Sequence, residues 1–227
     1  MAADRSSTHS LTLERGLRVL SVLAQRPDGL TVSELAKAMR THRAGTYRLL
    51  GPLADQRLVT RAPGGRYVLG LGLVELASRV RPRLQEAAVP VLRELADQIR
   101  ATTALTVRDG DEAVVLTVLE PRNTRVHLAY RPGIRHPVTV AAPGIALLAS
   151  GPPQPGERPA VAEARRRGWA ASSSELLQGA TGIGAAIRTS ADPADAAISA
   201  VWVDGRDPAT AAGPLLTAAR RIAAALR

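Results

Sequence analysis

Arg43, Tyr47 and Arg48 lie within six residues, and on a helix they share one broad face. A guanidinium in the major groove can bond a guanine edge with two donors or clamp a phosphate. The Tyr47 hydroxyl can bond a phosphate; alternatively its ring packs against the preceding helix. Thr41 and His42, just ahead, can bond phosphate or cap the helix, and Thr46 completes the DNA-contacting set on this element. Downstream, Arg61 and Arg66 flank Pro63-Gly64-Gly65 and can reach phosphate or the minor groove. This is the chemistry of holding a polyanion.

Bond-breaking chemistry finds little support. Cysteine is absent, which excludes disulfides, cysteine zinc sites and thiol nucleophiles. His9, His42, His127 and His136 show no metal-ligand spacing. There is no nucleophile elbow, Walker loop or dinucleotide fingerprint, and Gly182-Ile183-Gly184 lacks the rest of a phosphate loop. The expectation is a non-enzyme without metal or cofactor.

The formal charge is +10, and residues 1–70 carry eleven basic against five acidic residues, net +6. Concentrating the excess in the shorter part favours a polyanionic partner through counterion release. A genome that prefers arginine is the plainer account of the whole-chain charge, since Lys37 is the only lysine. Aromatics make up 2% with no Phe, which argues against a stacking platform for single strands or RNA. No apolar run approaches the ~18 residues of a membrane span. MAADRSSTHS lacks a signal-peptide core, so the expected location is the cytoplasm, with no membrane partner.

The basic residues need a scaffold, and residues 31–50 supply one. Thr31-x-x-Glu34 is a capping box, and Val32, Leu35, Ala36 and Met39 behind it form one apolar helical stripe. Thr41 is the expected N-cap of a second short helix, giving a helix-turn-helix. Leu13, Leu17, Leu20 and Ala24 predict a first helix over 11–24, and residues 1–10 read as a disordered start. Gly51-Pro52 should stop or kink the second helix. Leu58–Thr60 and Arg66–Leu69 predict a hairpin, read as a wing. Leu73 through Val80 predict a short apolar linker helix and candidate dimer seam. A longer helix, expected to kink at Pro90, follows. Beyond it come short strands at 104–107, 113–119, 126–130, 137–140, 183–187 and 198–203, and helices at 144–150, 159–168 and 209–226. The class is α+β with an antiparallel sheet. The expected division is a winged helix-turn-helix at 1–70, a linker at 71–82 and a second domain at 83–227.

In this order the motifs resemble the IclR family of bacterial transcriptional regulators over about residues 10–226. LERGLRVLSVLA, TVSELAKAM, TYRLLGPLADQRLV and GGRYVLGLGLVELA are similar to its winged helix and linker helix. PVTVAAPGIALLA resembles PLHxTAxGKALLA, and RRRGWAASSSELLQGATGIGAAI resembles R-x-x-G-Y-A-x-S-x-x-E…G-V-x-C-I-A-A-P-V. The resemblance implies a regulator, repressor or activator, that binds double-stranded operator DNA as a homodimer or homotetramer. It also implies a C-terminal GAF-like domain whose small-molecule effector alters DNA affinity. The sequence departs from the family pattern in several places. Thr139, Ala141 and Ile145 stand where the family has His, Thr and Lys, and Gly182 replaces a Cys or Ser. Trp202 and Asp204 fall where pocket serines are expected. The implied effector set is Thr139, Ala141, Gly144, Gly182, Trp202 and Asp204. Within it, Gly144 is expected to open a helix whose free N–H groups favour an anion. Trp202 either stacks on a ring or fills the core. Asp204-Gly205 also reads as plain turn chemistry. Ile145 in place of lysine suggests an apolar or aromatic effector. An effector-independent architectural protein, its second domain only oligomerising, is the alternative.

Overall fold

The computed structural model describes residues 10–123, 127–189 and 193–227. The chain forms two compact units, Met1–Val80 and Arg81–Arg227. In the first, α1 (Leu11–Ala24) is followed by β1 (Leu30–Thr31), α2 (Val32–Ala38) and α3 (Arg43–Asp55). Then come β2 (Val59–Ala62), a 3₁₀ turn (Pro63–Gly65), β3 (Arg66–Leu69) and α4 (Gly72–Ala77). The three strands pair antiparallel in the order β1-β3-β2. Val19, Leu23, Leu35, Leu50 and Val59 close one core between helices and wing.

The capping box is present in full. The Thr31 N–H donates to Glu34 Oε2 at 2.7 Å, and the Glu34 N–H donates to Thr31 Oγ1 at 3.3 Å. Arg66, at the start of β3, clamps the same corner. It donates to the Asp28 and Gly29 carbonyls at 3.0–3.2 Å and pairs with Glu34 at 3.2 Å. Wing, turn and helix α2 are thereby tied at one point. The Thr31 amide and hydroxyl foremost, then Arg66, hold the Glu34 carboxyl below the ordinary carboxylate range, although slight desolvation works the other way.

Several local expectations change. Helix α1 buries Gly16, Val19 and Leu23, whereas Leu13 and Leu17, read as its inner stripe, are exposed. The two stripes lie on one helix, and only the tertiary partner selects between them. Thr41 is not the N-cap of α3; that position is His42, because the Thr41 N–H is drawn back to the Ala36 carbonyl at 2.9 Å. Helix α3 does not stop at Leu50 but carries Pro52 inside it to Asp55, and α5 likewise runs unbroken through Pro90. In each helix the ring removes one hydrogen bond while the apolar face on either side stays packed. The reading of 1–10 as disordered falls, but for Ser10, outside the described residues; Ser10 caps α1 by accepting from the Leu13 N–H at 3.3 Å.

The second unit begins with α5 (Pro82–Ile99) and contains β4 (Thr102–Asp109), β5 (Glu112–Leu119), β6 (Arg135–Pro137), α6 (Ala141–Ser150) and α7 (Pro159–Arg167). It closes with β7 (Ala170–Ser173), β8 (Thr181–Ala186), β9 (Ala196–Trp202) and α8 (Ala209–Ala225). All strand pairs are antiparallel, in the order β6-β5-β4-β9-β8-β7. One face carries α5 and α8 over Leu105, Ile183, Ile198 and Trp202. The other carries α6, which packs with α7 and β7 through Ala142, Ile145, Val161, Ala164 and Ala170. Val126 lies outside the described residues and 127–130 form no strand, so the expected strand there is absent. Helix α6 starts three residues before Gly144, and 138–140 form a turn where a strand was expected. Strand β7 went unread because AASS holds none of the branched or aromatic residues that mark a strand.

Helix α6 sits unusually close to its neighbours. A Cβ at Gly144 would lie 2.4 Å from the Val138 carbonyl oxygen, and one at Gly184 would lie 2.6 Å from that of Ala142. Gly144→Ala should therefore lower the urea-unfolding stability of the chain by about 1–3 kcal/mol, as overpacking does. Gly16→Ala, inside α1 with nothing near its added Cβ, should instead raise it by roughly 0.5–1 kcal/mol. A second expectation concerns acid. Because the Glu34 pKa is lowered by folding, its stabilising contribution is present above the unfolded value and is lost as pH falls through the lower folded one. Thermal melts across that range should show Glu34→Gln, which keeps the capping geometry, losing less stability on acidification than the native chain.

Candidate functional site

In the first unit the helical period separates two faces of α3. Thr46, Leu50 and Leu53 are buried, and Arg43, Tyr47 and Arg48 are exposed. Tyr47 is 52% accessible, so its ring is not packed away against α1. His42 is exposed at the N-cap with no side-chain capping bond, and Thr41 is half-buried beside it. Thr46 is the exception within the expected DNA-contacting set. It is fully buried, and its hydroxyl donates to the His42 carbonyl at 3.2 Å, so it braces the helix from behind. Arg61 is exposed on the wing. Arg66 is not available in the same way: its guanidinium is committed to Glu34 and to the Asp28 and Gly29 carbonyls. It shapes the wing base. Arg40 was missed by the sequence reading. It is exposed in the turn before α3 with φ +52°, a left-handed conformation that nothing in its residue type announces.

In the second unit a small pocket, about 40 Å³, lies where the N-terminus of α6 meets β7, β8 and β9. Its polar groups come from Tyr130, Ser172, Glu175 and Ser199, and its apolar walls include Leu176, Leu177 and Val201. Tyr130 is 6% exposed, and burial raises its pKa, offset in part by hydrogen bonding toward Thr106 and Ser199. The contact with Thr106 is poorly aligned, leaving Thr106 Oγ1 buried without a well-formed bond. The first amides of α6 are engaged: Ala141 N–H donates to Glu175 Oε2 and Ala142 N–H to Ser172 Oγ, each at 2.9 Å. Arg158 grips both oxygens of Glu175 at 2.8 and 3.0 Å. This guanidinium foremost, with the Ala141 amide, keeps the Glu175 carboxyl below the ordinary carboxylate range.

Of the effector residues expected from the sequence, Ala141 and Gly182 line this pocket. Thr139 does not; it is exposed, and its carbonyl accepts from Arg158. Gly144 is buried inside the first turn of α6 and serves close packing rather than opening the helix to an anion. Trp202 is core: it is buried against α8 and α5 residues, with Arg206 stacked 4.5 Å above its ring. Asp204 lies exposed in the following turn, accepting from the Arg206 N–H at 3.2 Å. The reason is register. Alternation along β9 turns Ile198 and Trp202 to the helices α5 and α8, while the side chains of Ser199 and Val201 border the pocket, with Ala200 between them touching both. Reading the strand one residue out exchanges its faces. Ser199 was the available signal, the lone hydroxyl in AAISAVW. Ser172 and Glu175 belong to a quoted motif but gain a role only through long-range bonds.

A wider cleft of about 450 Å³ opens between α6, α7 and α8, with Arg165, Arg188 and Arg220 in its lining. These three arginines are engaged, and Arg227 also lines the cleft. Arg165 binds Glu157 and the Gly151 carbonyl, Arg188 bonds the Ala149 and Ser150 carbonyls, and Arg220 bonds Thr217. Two of them cap the C-terminus of α6. Among the described residues no cluster of acidic or histidine side chains could hold a metal ion, and no helix is long and apolar enough to cross a membrane.

Comparison with known proteins agrees with this architecture. Residues 12–63 match the IclR helix-turn-helix domain, and residues 78–159 match the bacterial transcriptional regulator IclR C-terminal domain. The HTH-type transcriptional regulator Rv1719 of Mycobacterium tuberculosis is 33% identical over 68% of this chain, and KipR of Bacillus subtilis is 29% identical over 60%. These alignments span 61% and 55% of the relatives' own lengths. Among solved structures, an IclR homolog from Microbacterium hydrocarbonoxydans complexed with 4-hydroxybenzoate superposes with TM-score 0.82 and 27% identity, covering 95% of this chain and 99% of that one. Thermotoga maritima IclR superposes with TM-score 0.79 at 22% identity, over 96% and 99% of the two chains. Sequence and fold together place this chain in the IclR family of bacterial transcriptional regulators, which are not enzymes.

Proposed function

We propose that this chain is a sequence-specific, cytoplasmic regulator. It reads operator DNA with α3, and the pocket under α6 takes a small organic effector that changes operator affinity. The observation that carries the DNA reading is the exposed row of Arg43, Tyr47 and Arg48 on a helix fixed from behind by Thr46, Leu50 and Leu53. Arg43 and Arg48 meet base edges or phosphate. Tyr47, Thr41 and His42 serve phosphate positioning, and Arg61 reaches the backbone from the wing. The effector reading is supported by the buried hydroxyls of Tyr130 and Ser199 in a mostly apolar pocket, and by the aromatic ligand in the Microbacterium relative.

A two-fold operator calls for a two-fold protein. Leu13 and Leu17 of α1 and Leu71, Val74 and Leu76 around α4 are more than half exposed. We assign them to the seam between two copies. Leu76→Asp should shift sedimentation profiles toward monomer by at least a tenfold rise in dimer dissociation constant; an unchanged dimer would remove the seam.

DNA binding is tested by fluorescence anisotropy on the segment upstream of the chain's own gene, with unrelated competitor and at several salt concentrations. Binding should survive competitor. Arg48→Ala should weaken it by about 1–3 kcal/mol and relax preference at one position, while Arg61→Ala should weaken all sequences alike and reduce the salt slope by about 1. Affinity that vanishes under competitor, with only a steep salt slope, would point to the architectural alternative. The effector reading predicts a ligand-dependent rise in melting temperature, since a ligand of the native state stabilises it, and a change in operator affinity on adding the same compound.

A further inference from the structure

A helix N-terminus ordinarily attracts an anion, because its first amides are unpaired and its dipole is positive there. In α6 that seat is filled from within. Glu175 takes the Ala141 amide and Ser172 takes the Ala142 amide. The negative charge of Glu175 is matched by the two-pronged contact from Arg158, which also bonds the Thr139 carbonyl. The arrangement is held at some local cost. Ala141 has φ +62° and Ser174, just before Glu175, has φ +55°, both left-handed without being glycine. Ser174 is pinned in turn, its N–H donating to the Ala180 carbonyl at 2.8 Å and its hydroxyl accepting from Gly179 at 3.1 Å.

What remains for a ligand is an environment without spare positive charge. Among the described residues, Glu175 is the one acidic residue in the pocket lining and no basic residue lines it. An incoming carboxylate would face Glu175 with the Ala141 and Ala142 amides and the Arg158 guanidinium already bonded, and like charges set together cost affinity. The hydroxyls of Tyr130, Ser172 and Ser199 and the apolar walls of Leu176, Leu177 and Val201 suit a ligand with neutral donors and acceptors. We infer that the pocket takes an uncharged ring-bearing ligand with a hydroxyl or amide, and rejects the carboxylate form of the same molecule; this assignment rests on the effector reading above. At about 40 Å³ the pocket is smaller than the ~150 Å³ that holds a benzene ring, so a ring requires the wall to give, and the half-buried Leu176 and Leu177 in the loop after β7 are the wall residues assigned to that movement.

The test is calorimetry on the full chain with matched pairs: 4-hydroxybenzoate against 4-hydroxybenzamide, benzoate against benzamide, and phenol. The uncharged member of each pair should bind at least ten times more tightly. Gly182→Leu, which fills the pocket, should abolish that binding while leaving the circular dichroism spectrum unchanged. Glu175→Gln, which leaves Arg158 without its carboxylate, should raise affinity for the acids and narrow the gap. Acids binding the native chain as well as or better than their amides would overturn the class assignment and leave the effector pocket standing. Uncharged probes that still bind Gly182→Leu would show that the preference belongs elsewhere, and would also overturn it. No binding by any probe to either the native chain or Glu175→Gln would overturn the effector reading itself. The comparison within the native chain decides even if a variant fails to fold.

Discussion

Everything in the second unit that bears on recognition depends on how closely α6 approaches the backbone around it. The approach is possible because Gly144 and Gly184 have no Cβ where the Val138 and Ala142 carbonyls come within 2.4 and 2.6 Å of one. A helix lowered this far brings its unpaired N-terminal amides to the level of the strands. Those amides are then within reach of strand and loop side chains, and unsatisfied buried donors cost too much to leave. Ser172 from β7 and Glu175 from the loop after it therefore become caps, and the space they enclose becomes the pocket. Packing, capping and cavity are consequences of one constraint.

The first unit solves a similar problem with the same chemistry. Glu34 caps α2 through the Thr31 amide and is clamped by Arg66, much as Glu175 caps α6 and is clamped by Arg158. In each case a carboxylate joins a helix N-terminus to an arginine from another element. Neither carboxylate is deeply buried, so neither pair is expected to contribute much as an isolated ion pair. Their value is geometric: a forked guanidinium fixes the angle at which two elements meet. In the first unit that angle sets the wing against the helix-turn-helix; in the second it closes the mouth of the pocket.

This also explains what the sequence made legible. The Thr31–Glu34 box and the exposed face of α3 were readable because their partners lie three and four residues away, within the reach of helical periodicity. Arg66 was not, since its acceptors lie 37 and 38 residues back; an arginine beside a glycine turn looks the same whether it meets phosphate or a carbonyl. For Trp202 the sequence left ring contact and core filling open, because a motif fixes order along the chain but not the face of a strand; β9 turns it to the helices, outside the pocket under α6. Ser172 lay inside a quoted motif, yet it becomes a cap only once α6 has been lowered onto it.

The outward leucines of α1 carry the same lesson from the other side. Two apolar stripes run along that helix. The one through Gly16, Val19 and Leu23 is the buried one, with Val19 and Leu23 packed into the core of the first unit. The rejected stripe keeps Leu13 and Leu17 at 62% and 53% exposure. Leaving that much apolar surface in water forgoes burial worth about 25 cal/mol per Å². Exposed apolar side chains scattered singly are ordinary, but leucines on α1 together with those around α4 amount to a surface of the kind that marks association. A chain that needed only one copy would gain by placing charge at these positions, as it does elsewhere on α1 with Arg15 and Arg18. The periodicity that misidentified the inner face of α1 picked out an apolar stripe that the core of its own unit leaves exposed.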